Sequence, residues 1–222
     1  RCLRRNAADR YATGEQLLEA LEKILPSAGE TVPEGNPYRG LWSFEDDHRA
    51  LFFGRRNEIG TLLERLRNEA CVLITSDSGI GKTSLCRAGL LPLIKDGLLD
   101  QSKSWRVASL SLGRQPLRAL VAALAPALEA TESHLHDRIA ADPGSLSTEL
   151  CAHLPKNTGL LLLVDQLEEL IMAQNPEEAK LVAQALGSMF VRVPQLRLLM
   201  AVRSDYIGRV GALPGLGEAM TR

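Results

Sequence analysis

The chain has 222 residues, 45% of them hydrophobic and 24% charged, enough to bury one full α/β core with a smaller appendage. Its 26 basic and 27 acidic residues give a formal charge of −1, so no broad basic face follows and nucleic acid is not favoured as a partner. The four cysteines (Cys2, Cys71, Cys86, Cys151) contain no C-x-x-C pair, which argues against a disulfide framework or a zinc site and for a reducing, cytoplasmic setting; no apolar run approaches the ~20 residues that span a bilayer.

In chain order, Leu17, Leu18, Leu21, Ile24 and Leu25 recur at helical spacing after a polar start at Thr13. The stretch Pro26–Pro37 lacks periodicity and is rich in Pro, Gly and Ser, so it reads as a linker and a domain boundary. The expected division is 1–26, a linker over 27–50, and a main domain over 51–222. The chain begins with Arg, without a signal peptide, and is expected to be a fragment of a longer protein.

Past the linker, Leu51-Phe52-Phe53-Gly54 forms a short apolar patch, and a helix is predicted over about Arg56–Asn68, with Ile59, Leu62, Leu63 and Leu66 on one face. Strands are predicted at 71–75, Trp105–Leu112, Gly159–Asp165 and Leu196–Val202. Helices are predicted at 82–94, Pro116–Ala130, Ser145–Leu154 and Glu177–Phe190. Strands alternating with helices imply right-handed βαβ units and a mostly parallel sheet covered on both faces: a three-layer α/β fold preceded by a short helical remnant.

The strand at 71–75 leads into Ser76-Asp77-Ser78-Gly79-Ile80-Gly81-Lys82-Thr83. A buried strand, a tight Gly-rich loop and a helix N-terminus together make a cradle for phosphates. The backbone N–H groups of residues 76–81 are expected to wrap the phosphates, with Gly79 and Gly81 supplying positive φ. Lys82 would bring charge to the β/γ oxygens, and Thr83 would offer its hydroxyl to Mg²⁺ as Ser84 continues the first helical turn. The template G-x-x-x-x-G-K-[ST] is met except that Ser76 replaces the first Gly. Asp77 is a second oddity, since a carboxylate near phosphates repels them unless it faces solvent.

Two further strand ends carry chemistry. The apolar run to Val164 closes on Asp165-Gln166-Leu167-Glu168-Glu169. Asp165 is placed to order Mg²⁺ beside Thr83, and Glu168 or Glu169 to polarise an attacking water. Leu196–Val202 closes on Arg203, where a cation would sense a γ-phosphate; the competing expectation is a surface ion pair with Asp205. His48, His134, His136 and His153 show no metal-ligand spacing. Trp42 and Phe44 are expected to pack the linker against the core, and Cys71 and Cys86 to be small buried hydrophobes.

Residues 36–222 resemble the novel STAND NTPases, a signal-transduction branch of the P-loop ATPases. The resemblance is carried by Asn36-Pro37-Tyr38-Arg39-Gly40-Leu41 with Phe44-Glu45, and by Leu51-Phe52-Phe53-Gly54-Arg55-Arg56-Asn57-Glu58-Ile59. It continues in the phosphate loop through Arg87-Ala88-Gly89-Leu90-Leu91-Pro92, in Asp165-Gln166-Leu167-Glu168-Glu169-Leu170, and in Val202-Arg203-Ser204-Asp205-Tyr206.

The resemblance implies that Phe53-Gly54-Arg55 and Glu58 lie near an adenine base and that Lys82 and Thr83 are the Walker A pair. It further implies that Asp165 is the Walker B acid, Glu169 the catalytic acid ahead of Glu168, and Arg203 a sensor arginine. Ser76 and Asp77 stand where the family usually has Gly-Pro. A fifth strand and the helical lid usual in the class are not expected among these residues.

Residues 1–25, from Cys2-Leu3-Arg4-Arg5-Asn6-Ala7-Ala8-Asp9-Arg10-Tyr11-Ala12-Thr13 to Leu21, are similar to the end of a bacterial Ser/Thr protein kinase domain, without its catalytic residues. Together these resemblances imply an ATP·Mg²⁺-dependent signalling switch with slow hydrolysis, set in a parent fused to a kinase, with self-association or protein partners. The alternatives are a nucleotide-locked scaffold without turnover and a parent acting mainly as a protein kinase.

Overall fold

The computed structural model describes residues 11–17 and 37–220. The chain divides into two compact units, Arg1–Pro37 and Tyr38–Arg222. In the first, a helix starts at Thr13. The Thr13 hydroxyl accepts from the Gln16 backbone N–H (3.2 Å) and the Gln16 side-chain oxygen accepts from the Ala12 N–H (3.0 Å), a reciprocal cap. The remainder of the predicted helix (Leu18, Leu21, Ile24, Leu25) and most of the kinase-like segment lie outside the described residues.

The second unit is built on four parallel strands: β1 (Cys71–Ser76), β2 (Ser104–Ser111), β3 (Thr158–Asp165) and β4 (Leu196–Arg203). Their spatial order is β1-β4-β3-β2. Each predicted strand is present within one or two residues of its expected ends. The register pairs Ser76 with Arg203 and Ser111 with Asp165, so the chemistry-bearing residues share one edge of the sheet, at the strands' carboxyl ends.

β3 is buried on both faces because Leu160 to Val164 offer no polar side chain to either side. Leu160, Leu162 and Val164 join a cluster with α3 (Pro116–Leu128), α4 (Glu132–Ala141), α5 (Ser145–His153) and α7 (Pro176–Arg192). Leu161 and Leu163 point the other way, toward α1 (Arg56–Asn68) and α2 (82–95). Removing one such leucine side chain costs about 2–5 kcal/mol. Short helices α6 (Glu168–Ile171), α8 (Ile207–Val210) and α9 (Leu216–Met220) follow strand ends β3 and β4.

Three elements depart from the sequence reading. α4 was not predicted: it is polar, and only Leu135 and Ile139, one turn apart, are buried, with Thr131 capping the His134 N–H. α2 is not a uniform helix. It opens as Lys82–Ser84, widens into a π-helical stretch at Leu85–Leu90, and returns to α-helix over Leu91–Lys95. Gly89 lies in the wide stretch, and a Cβ there would sit 2.8 Å from Ile59 of α1 and 3.0 Å from Phe52.

The third departure is the segment before α1, which contains a 3-10 helix at Asp46–Leu51. Phe44 stacks edge-on against His48 and tilts against Phe52, as a packing residue should, whereas Trp42 is 80% exposed.

Candidate functional site

The phosphate loop obtains its shape from two glycines. Gly79 and Gly81 adopt φ of 81° and 86°, the left-handed region that a side chain disfavours, and Gly81 is the residue from which α2 starts. Ser76 is not among the residues with positive φ, so its Cβ costs the loop nothing. Lys82 extends back along the loop, its ammonium donating to the carbonyls of Ser76 (2.7 Å) and Asp77 (2.9 Å). Asp77 accepts a hydrogen bond from the Ser204 hydroxyl on the turn that follows β4. That bond links the loop to the neighbouring strand end.

Asp165 is 2% exposed at the end of β3. Its two oxygens are held separately: the Thr83 hydroxyl donates to Oδ1 (3.2 Å), while the Arg87 guanidinium donates to Oδ2 (3.4 Å). Burial pushes its carboxyl above the usual range, opposed by the Thr83 hydrogen bond and by the Arg87 charge. A hydroxyl and a buried carboxylate are hard oxygen donors suited to Mg²⁺, which keeps most of its shell as water and phosphate oxygens. No group of three or more His, Cys, Asp or Glu among the described residues could cage a metal alone.

After Asp165 the chain turns sharply. Gln166 has φ of 57°, and the Leu167 N–H bonds to the Ala201 carbonyl of β4 (2.9 Å), so α6 starts beside Arg203. The two adjacent acids differ. Glu168 is 7% exposed and accepts from the Arg203 backbone N–H (3.2 Å). Glu169 reaches across to β2's end and accepts from the Gly113 N–H (2.5 Å). The Arg203 guanidinium itself forms a two-point pair with Asp205 (3.1 and 2.9 Å) and lies over the Tyr206 ring, 5.4 Å from its centre.

Beside the loop, a cavity of about 350 Å³ is lined by Arg55, Asn57, Glu58, Thr61, Thr75 and Ile80, among others. Arg55 donates to the Ile80 carbonyl (2.9 Å) and to Glu58 (3.1 Å), which fixes the chain before α1 against the phosphate loop. Gly54, with φ of 86°, makes the bend that brings Arg55 there. The structure thus gathers Ser76, Lys82, Thr83, Asp165, Glu168, Glu169 and Arg203 at one edge, and Arg55 and Glu58 at the adjoining cavity.

Sequence reasoning overlooked Arg87, Ser84 and Glu45 as a connected group. Arg87 donates to Glu45 (3.0 Å) and Ser111 (3.2 Å) as well as to Asp165, and the Ser84 hydroxyl accepts from the Phe44 N–H (3.0 Å). The available signal was the i, i+4 spacing of Thr83 and Arg87, which sets both on one helix face. Cys71 and Cys86, flanking the loop, are pushed up to about 12 by burial, so neither is a thiolate near neutral pH.

Among solved structures, the chain is similar to the ORC2 protein of Aeropyrum pernix. The ADP form matches at 13% identity and a TM-score of 0.55, covering 82% of this chain and 49% of that one. The ADPNP-ADP complexes match at 15% identity and 0.51, covering 76% and 46%. At such identity the likeness shows the fold, and the chain spans about half the length of these relatives. A comparison with curated protein sequences gave no match. No helix among the described residues is long and apolar enough to cross a membrane. Residues 37–222 match the family described as Novel STAND NTPase 1; the protein belongs to that family.

Proposed function

We propose that this domain binds ATP with Mg²⁺ at the carboxyl ends of its strands and hydrolyses it slowly, as a nucleotide-dependent switch in a cytoplasmic signalling protein. The observation carrying this reading is the Thr83–Asp165 pair beside the Gly79–Lys82 loop. A hydroxyl and a carboxylate 82 positions apart in sequence meet where a phosphate-bound Mg²⁺ needs them. The ion would neutralise charge building between the β- and γ-phosphates.

In this reading the loop amides and Lys82 bind the phosphates, and the cavity beside Arg55 and Glu58 takes the base and sugar. Glu169, with Glu168 behind it, orients the water, and Arg203 leaves Asp205 for the γ-phosphate. A parent protein carrying a Ser/Thr kinase upstream, and self-association driven by the bound nucleotide, complete the proposal. Calorimetric titration of the 222-residue chain with ATP·Mg²⁺ tests it. Saturable 1:1 binding lost in Lys82→Ala is expected; absence of binding, or equal binding by that variant, overturns it.

One observation favours a second reading, a nucleotide-locked scaffold without turnover. Both acids accept from backbone N–H groups, Glu168 from Arg203 and Glu169 from Gly113, so one oxygen of each carboxylate is already engaged in holding the fold. Phosphate release separates the two readings. A loss of turnover in Glu169→Gln or Glu168→Gln supports the switch, and no release by the unaltered protein supports the scaffold.

A further inference from the structure

The first turns of α2 touch two things at once. Thr83 and Arg87, one helical turn apart, hold the two oxygens of Asp165. Ser84 and Arg87, three apart, hold the segment before α1: the Ser84 hydroxyl accepts from the Phe44 N–H and Arg87 donates to Glu45. Glu45 is itself fixed by the Ser43 hydroxyl (2.7 Å), and the following 3-10 helix is pinned by Lys95 to Asp46 and by Arg49 to Asp96 (3.0 Å). The segment 43–51 is therefore a strap laid along α2, and Arg87 is the side chain that joins it to the buried carboxylate.

Arg87 bears the marks of a group held in place for more than packing. It sits in the π-helical stretch, a local irregularity that recurs at functional sites. Its Nε is buried without a hydrogen-bond partner among the described groups, a cost that a surface arginine avoids by turning to water. Its two terminal nitrogens serve different carboxylates, Nη1 facing Glu45 and Nη2 facing Asp165, a spacing and direction that the rigid planar fork fixes and a flexible, compact ammonium does not.

We propose that Arg87 is a positioning residue for Asp165, anchoring one carboxylate oxygen so that the other faces Thr83 and the Mg²⁺ of a bound nucleotide, and that through Glu45 it couples this occupancy to the strap over residues 43–51. The proposal rests on the nucleotide-binding reading above. Its direction is definite. Arg87 helps the cation by holding the carboxylate that binds it, and outweighs its own repulsion of the ion. The strap precedes α1 in the chain, so a displacement of it reaches the nucleotide site through one side chain.

The test is ATP titration, with Mg²⁺ and with EDTA, of the unaltered chain and of Arg87→Met, Arg87→Lys and Glu45→Ala. The ratio of the two affinities is the quantity read. Arg87→Met is expected to lower that ratio by about tenfold, the value of one charge-assisted hydrogen bond, with the EDTA affinity changed by less than about twofold. Arg87→Lys should recover only part of it, and Glu45→Ala should lower it by about threefold. Hydrogen exchange over residues 43–51 should rise without nucleotide in Arg87→Met and Glu45→Ala.

An unchanged or increased ratio in Arg87→Met overturns the proposal. So does an equal loss with and without Mg²⁺, which would make Arg87 merely structural. Should Arg87→Met not fold, Arg87→Lys and Glu45→Ala carry the same decision. If the unaltered chain binds no ATP, the nucleotide reading fails by itself, and the exchange difference over 43–51 still decides whether Arg87 tethers the strap.

Discussion

The two ends of the β-sheet use the same residue type to opposite effect. At the strands' amino ends, arginines close the backbone. Arg197 donates to the carbonyls of Leu66 (2.7 Å) and Leu196 (3.0 Å), and Arg67 to those of Leu98 (2.7 Å) and Leu99 (3.1 Å). At the carboxyl ends, Arg87 and Arg203 face carboxylates, Asp165, Glu45 and Asp205, and the ammonium of Lys82 rests on the open carbonyls of its own loop. The amino-end guanidinium groups complete helix and strand ends, whereas the Lys82 ammonium rests on carbonyls of the loop whose amides would take phosphate. A cation beside a side-chain carboxylate can exchange partners when a stronger anion arrives. One end is finished, and the other is poised.

The largest test of that contrast is Lys82→Ala. It should weaken ATP·Mg²⁺ binding by about 100-fold, the loss of two charge-assisted bonds to phosphate, while the urea midpoint moves little. A similar drop in stability would mean that the loop cation closes structure as the amino-end arginines do. The mirror experiment is Arg197→Met, which strands a carbonyl that its guanidinium now satisfies. It should cost about 1–3 kcal/mol in urea unfolding and leave ATP affinity unchanged.

A smaller effect of opposite sign is expected at Asp165. Because burial raises its carboxyl in the folded state, the acid binds its proton more tightly folded than unfolded. Stability is then greatest below the ordinary carboxylate range and falls as pH rises through it toward the folded value. Asp165→Asn, neutral throughout, should therefore stabilise the nucleotide-free chain by roughly 1 kcal/mol near pH 7 and by much less at pH 3, read as a Tm difference of about 2–4 °C. Equal Tm values at pH 7 would show that Arg87 and Thr83 fully offset the burial. The smallest change is Ser76→Gly. With no positive φ at Ser76, glycine has nothing to relieve, and ATP affinity should stay within about threefold.

The sheet was legible because its strands are extreme. Leu160 to Val164 is an unbroken apolar run that only a strand buried on both faces accommodates, and Asp165 at its end stands out by contrast. The phosphate loop was legible for a similar reason, since few local geometries need two glycines and a lysine at that spacing. α4 was not, because a helix that buries only Leu135 and Ile139 carries almost no periodic signal. Arg87 was not, because its partners Glu45 and Asp165 lie 42 and 78 positions away, and its i, i+4 spacing from Thr83 is the one local signal it carries. The adjacent acids Glu168 and Glu169 read alike, and only the fold separates the buried one from the one that reaches β2.

Gly89 bears on how the helix of the phosphate loop is seated against its neighbours. Any side chain there would meet Ile59 and Phe52 within about 3 Å. Those two belong to α1 and to the residue that follows the strap, so the glycine sets how closely both approach the helix that begins at the phosphate loop. A substitution at a position with no polar atom to contribute would act as a wedge, parting the strap from that helix without touching a phosphate. The spacing of that seam is therefore set where the Ile59 and Phe52 side chains close over a bare hydrogen.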